Sequence, residues 1–228
     1  MTVTAKNIID RVRTQLIDIG STKRWTDTEL LNWLSDAQRA VVAVQADASN
    51  EVTSLPLQVG TRQRIPDDGN LLLGITRNMG ADGNTPGRAI RLISREIIDS
   101  QNPDWHTELK RAVIYNYIFD PQDRVAFYVY PPSDGTGHIE LNYSRVPADM
   151  TELADPIIVQ DIYRTALFDY VMFRACQKDS DFAGGQAVAQ TYFQSFVAFM
   201  NADTGTETTN NPNLQLAGFN PQAPGAAK

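Results

Sequence analysis

Apolar and polar positions alternate most sharply at helical period over Arg24–Ala46, where Leu30, Leu34, Ala37, Val41 and Val44 predict one buried face. Trp33, Ala37 and Ala40 broaden that face, while Asn32, Ser35, Asp36 and Arg39 form the polar side. The start of this helix is encoded locally. Thr26 is spaced to accept from the Glu29 N–H and Glu29 to reach back to Thr26, a capping box, with Trp25 and Leu30 at the staple positions. Such a face needs an apolar partner elsewhere in the chain.

Two more regions carry the helical period. Ile9, Val12, Leu16 and Ile19 predict an N-terminal helix of about four turns, with Asp10, Arg11, Arg13 and Asp18 on its wet side and Gly20 as its stop. After Pro147, Asp155 reads as a cap and Pro156 as the first helical residue. Ile158, Ile162, Ala166, Phe168, Tyr170 and Phe173 then predict a helix to Lys178, apolar nearly all round and therefore central. Trp33 and Leu34 are expected to pack against this helix, 157–178. A last helix is predicted over Gly185–Met200, with Val188, Tyr192, Phe196 and Phe199 on one stripe.

Between these regions the period falls to two. Strands are predicted at Leu55–Val59, with Pro56 confining it to an edge, and at 71–79, 88–93, 112–119, 124–130 and 138–144. Ser94 is expected to cap a short helix ending at Asn102-Pro103. In the last strand Ile139, Leu141 and Tyr143 face one way and Glu140, Asn142 and Ser144 the other, the pattern of a sheet with one wet side. The predicted class is α+β. N- and C-terminal helix pairs (1–50 with 149–200) form a helical bundle, an antiparallel β domain (51–148) is inserted, and an extended C-terminal arm (201–228) follows.

The 228 residues, 42% hydrophobic, suit one sizeable domain or two small ones. A net charge of −7 disfavours long-range attraction to DNA or anionic membrane. The single cysteine, Cys176, reads as a small buried hydrophobe. No apolar run suggests a signal peptide or a membrane span, so a soluble cytoplasmic product is expected. The segment Asn201–Lys228 is rich in Thr, Asn, Gly, Pro and Ala and cannot build a core. Its sizeable apolar side chains, Leu214, Leu216 and Phe219, are candidate docking residues onto a partner.

Candidate chemistry is sparse. His106 and His138 have no second ligand at metal spacing, and Asp67-Asp68-Gly69-Asn70 and Asp82-Gly83-Asn84 lack the spacing of a calcium loop. Neither a phosphate loop nor a nucleophile elbow is present, and no cofactor is expected. The charge asymmetry lies in Arg62, Arg64, Arg77, Arg88, Arg91 and Arg95, against an acidic stretch from 145 to 200. Arg77, Arg88, Arg91 and Arg95 are candidate contacts to a neighbouring subunit or to DNA, weighed against an ordinary solvated face.

Five segments taken in order carry a family resemblance: RWTDTELLNWL (24–34), RNMG through TPGRAIRL (77–92), NPDW (102–105), FYVYPP (127–132) and DIYRTALFDYV (161–171). Together they resemble the head-to-tail adaptor, or connector, proteins of short-tailed bacteriophages, over roughly residues 4–200. The resemblance implies a non-enzymatic virion protein of the neck, assembled in the host cytoplasm. It further implies a homo-oligomeric ring, a dodecamer, binding the portal and the tail nozzle around passing DNA, without sequence-specific binding or membrane contact. The helices would lie against the portal, the sheet domain toward the nozzle, and a C-terminal extension would embrace the portal. The alternatives are a glycan-processing module using two carboxylates, or a glycan-binding one using Trp25, Trp33 or Trp105.

Overall fold

The computed structural model describes residues 3–179 and 184–210, with side chains described to Ala202. It is α+β, with five α-helices and two sheets among the described residues. Two compact units emerge: residues 1–45, 149–157 and 161–228, and residues 46–148 with 158–160.

The first unit is helical. Helix α1 spans Ala5–Gln15 and buries Ala5, Ile8, Ile9 and Val12. It ends well before Gly20, because the chain closes a Schellman motif. The Asp18 N–H donates to the Arg13 carbonyl at 2.9 Å and the Ile17 N–H to Thr14 at 3.2 Å, with Ile17 left-handed at φ 55°. Ile17 and Ile19 therefore point to solvent instead of extending the stripe. Arg13 and Asp18, expected on the wet side, are buried. At the other end, the free N–H groups of Ala5 and Lys6 donate to the carbonyls of Asp155 and Leu153, both at 2.9 Å.

That exchange corrects the reading of Asp155 and Pro156 as a helix start. Pro156 bridges Thr4, and the Asp155 carboxylate accepts from the N–H groups of Thr151 and Glu152 at 2.7 and 2.9 Å, closing a turn upstream. The helix begins only after a 3-10 turn at Asp161–Tyr163, as α4, Arg164–Lys178, and Ile162 is exposed.

Helix α2, Asp27–Val44, opens on the capping box. Thr26 Oγ1 accepts from Glu29 N at 3.2 Å, and the Glu29 carboxylate accepts from Thr26 N at 3.1 Å. Leu30, Leu34, Ala37 and Val41 are buried and Val44 is exposed. Ser35, expected on the polar side, is buried; its hydroxyl donates to Leu31 and accepts from the Met150 N–H, both at 2.9 Å. Helix α4 contacts α1 and α2 and meets α5, Gly185–Asn210, through aromatic pairs. Phe173 and Phe193 have ring centroids 5.0 Å apart, and Tyr170 and Phe196 5.4 Å. Helix α5 runs ten residues beyond the predicted end at Met200, into the stretch assigned to the arm. No proline falls between Met200 and Asn210 to break it. Leu214, Leu216 and Phe219 lie outside the described residues.

The second unit is built from sheets. Strands β1 (Asn50–Pro56), β7 (His138–Arg145) and β3 (Gly69–Asn78) form one antiparallel sheet in the order β1-β7-β3. Strands β2 (Gly60–Arg64), β6 (Ala126–Ser133), β5 (Asn116–Phe119) and β4 (Arg91–Leu92) form the other, with β4 parallel to β5. Leu72, Ile75, Ile139 and Leu141 from the first sheet share one core with Phe127 and Val129 of the second. Pro56 ends an edge strand, where its missing N–H costs no ladder bond.

Strand β2 carries no apolar alternation. Its buried residue is Gln63, whose amide accepts from Gln58 N at 2.7 Å and donates to Gln58 O at 2.8 Å. The predicted strands 88–93 and 112–119 shrink to β4 and β5 because a side chain replaces part of the ladder. Buried Asn78 donates to the carbonyls of Arg88 and Ile114 and accepts from the Ile114 N–H, all at 2.8 Å. Gly137 lets the Ala112 carbonyl approach; an added Cβ would sit 2.2 Å from that oxygen. Ser144, expected on the wet face of β7, is buried 3.3 Å from the Ser49 hydroxyl.

Candidate functional site

The four candidate arginines sit in the sheet unit and have different surroundings. Arg77, on β3, grips the Glu140 carboxylate of β7 through Nε at 3.2 Å and Nη2 at 2.8 Å. Arg95 opens helix α3 (Arg95–Gln101), pairs with Asp99 at 3.4 Å, and lies over the Tyr128 ring. Both charges are satisfied within the chain.

Arg88 and Arg91 differ. The Arg88 guanidinium stacks over the Tyr115 ring at 4.5 Å, and Arg91 on β4 donates its backbone N–H to the Tyr115 carbonyl at 3.2 Å. Arg111 Nη1 reaches the Tyr115 hydroxyl from the far end at 3.3 Å. Among the described residues no carboxylate lies within ion-pair distance of Arg88, Arg91 or Arg111. The arginine-rich run ends at residue 95 and does not point to Arg111 or Tyr115; the Lys110-Arg111 pair beside a predicted strand is the signal the sequence carries for them.

Other chemistry-bearing groups are occupied structurally. Trp105 is buried, donates Nε1–H to Asp99 at 2.8 Å, and packs with Ile98 and Ile118. Trp25 is also buried, edge-on to Trp33 at 6.0 Å. His106 stacks on Trp105 with its Nδ1 2.9 Å from the Thr61 hydroxyl. Asp82 folds its own loop, accepting from the N–H groups of Asn84 and Thr85, which hold its carboxyl below the usual range. Burial, then the Asp68 charge, pushes the Tyr143 phenol up to about 12. Burial likewise raises the Cys176 thiol, which makes it a poorer nucleophile.

Among the described residues no group of three or more His, Cys, Asp or Glu side chains could hold a metal ion. An open cleft of about 360 Å³ lies between α3 and β5, bordered by Glu96, Asp99, Asp120 and Tyr128. No helix among the described residues is long and apolar enough to cross a membrane. The surface offers contact chemistry: in the sheet unit, cations without a carboxylate partner among the described residues, and in the other unit an uncharged helix surface.

No curated protein matches the chain. A family model described as SU10 adaptor protein matches residues 3–215, running through both compact units and covering all five segments of the phage-adaptor resemblance. By that match, the chain belongs to the SU10 adaptor protein family.

Proposed function

We propose that this chain is a structural virion protein, a head-to-tail adaptor that forms a ring between the portal and the tail nozzle and leaves a channel for DNA. The observation that carries this reading is the adaptor family match from residue 3 to residue 215. In this reading the terminal helix pairs close into one bundle against the portal, the inserted sheet domain faces the nozzle, and the protein resides in the virion neck. Arg88 and Arg91 meet carboxylates of the neighbouring subunit, since their own chain supplies none among the described residues. Leu214, Leu216 and Phe219 anchor the C-terminal segment on the portal or a neighbour.

The glycan-binding alternative has little support. Sugar stacking needs an open aromatic face, and the Trp25 and Trp105 rings are spent inside the chain. The test is to mix the subunit, full-length or lacking residues 211–228, with purified portal and weigh the product by native mass spectrometry. The expected outcome is a ring on the portal with the full chain, and a truncated subunit that melts normally but does not stay bound. A full-length subunit that never associates with the portal would overturn the reading.

A further inference from the structure

Two surface features of the helical unit are left uncovered by the described residues. The first is the turn after α1. Ile17 is a β-branched residue held at φ 55°, a conformation that such side chains resist, and it is 85% exposed; Ile19 is 73% exposed. Asp18 between them is buried and pinned, accepting from the Arg24 N–H at 2.7 Å and from Arg13 at 2.5 Å. The left-handed residue closes the end of α1, and the same turn is a rigid mount that holds two aliphatic side chains outward.

The second is the outer surface of α5. No charged residue occurs between Gly185 and Ala202, although one residue in five of the chain is charged. Gln186, Gln190, Phe193 and Val197 fall at i, i+4, i+7 and i+11, and so form one exposed stripe. At its head is a recess of about 110 Å³, which Phe173 and Gln177 of α4 complete. That is room for one branched aliphatic side chain. An exposed helix ordinarily carries charge, whereas depletion of charge with aromatic enrichment is the composition of an interface core.

We propose that the Ile17–Ile19 turn of one copy docks on the Gln186–Gln190–Phe193–Val197 stripe of the next, with one isoleucine entering the recess beside Phe173. The inference rests on the ring reading above and names a contact that builds the ring. The fit is of size and of absent charge: two aliphatic knobs on a fixed mount, and an uncharged stripe with one glutamine-rimmed hole beside Phe173 and Ala189. The turn and the stripe belong to different elements, α5 sharing its extended contacts with α4 and the turn lying between α1 and α2. Passed from each copy to the next, such a contact is heterologous and can close a ring; used reciprocally by two copies it would stop at a dimer, which the wild-type mass distinguishes.

Two double variants test it. The knob variant, Ile17→Asn with Ile19→Ser, removes the aliphatic groups and places at position 17 a residue that tolerates the left-handed conformation. Its Tm should hold or rise while self-association weakens on the order of a hundredfold, from the loss of two buried aliphatic side chains. The groove variant, Gln190→Lys with Val197→Lys, alters exposed positions only. Each variant alone should stay monomeric at concentrations where the wild type assembles. Mixed, they should form a one-to-one pair and stop, because the pair retains one intact knob and one intact groove in contact. Sedimentation and native mass spectrometry read this directly. Variants that assemble like the wild type would overturn this contact and leave the ring reading standing. A wild type that shows no self-association, with or without portal, would overturn both.

Discussion

Arg13 Nη1 donates to Asp18 Oδ2 at 2.5 Å, and both side chains are buried at the point where α1 ends. The same guanidinium reaches the Trp25 carbonyl at 3.0 Å and Asp27 at 2.5 Å, so one arginine ties the end of α1 to the start of α2. Removing Asp18 takes the buried carboxylate from Arg13 and from the Arg24 N–H, and leaves only the part-exposed Asp27 to balance the guanidinium, which costs more than the pair itself contributes. Asp18→Ala should lose about 3 kcal/mol of stability. Asp27→Ala should lose about 1 kcal/mol or less, because that carboxylate is 40% exposed and solvent-screened. Urea unfolding of both variants checks the order; equal losses would count against the buried pair as the anchor.

The start of α2 should be pH-sensitive. The Lys178 ammonium, and then the Thr26 N–H and hydroxyl, hold the Glu29 carboxyl below its usual value of 4.5, and Arg13 chiefly holds Asp27 below its own. A depressed folded-state pKa contributes stability that is fully present above the unfolded value and is lost as pH falls through the folded one. The Tm should therefore drop on acidification below about pH 4.5, and less steeply in Glu29→Gln, which keeps the capping box without the titration. Thr26→Ala should instead cost about 1 kcal/mol at neutral pH. Parallel melts across pH 3 to 7 separate the two effects.

Trp105 should behave as core and not as a ligand platform. Trp105→Ala should cost about 3–5 kcal/mol, since a fully buried indole leaves a cavity under β6. Binding of soluble oligosaccharides, measured by calorimetry, should be absent from both proteins. Wild-type binding that this substitution abolishes would revive the glycan reading.

Charge reversal should separate the paired arginines from the others. Arg88→Glu with Arg91→Glu should cost about 1 kcal/mol of folding stability or less, the loss of one exposed cation–π contact. On the proposed ring reading, assembly should nevertheless weaken, and wild-type assembly should loosen as salt rises. Arg77→Glu should destabilise the subunit itself, because it faces Glu140 across β3 and β7. Sedimentation over a salt series distinguishes these outcomes, and salt-independent assembly would argue against arginine–carboxylate contacts.

Gly137→Ala tests the close approach in the sheet unit. The added methyl meets backbone, which cannot rotate away, so a loss of about 1–3 kcal/mol is expected. A neutral result in thermal melts would mean that the Ala112 segment shifts freely.

Where the signal was local, the sequence by itself determined the structure. The box at Thr26 and Glu29 and the alternation of Ile139, Leu141 and Tyr143 rest on neighbours within a few residues, and both occur as read. The five ordered motifs likewise point to the adaptor family that matches residues 3–215. Tertiary structure alone decided the features whose partners are distant in the chain. Asp155 reads as a cap until Ala5 takes its carbonyl, and the Ile9–Ile19 stripe reads as one helix until Asp18 turns back to Arg13. Strand β2 has no apolar alternation to detect, because its ladder is held by β6 and by the Gln63 amide. The separation of Arg88 and Arg91 from Arg77 and Arg95 depends on which carboxylates the fold brings within reach. Sequence spacing carries the short-range hydrogen bonds of caps and turns, but a buried polar group takes whichever partner the packing presents.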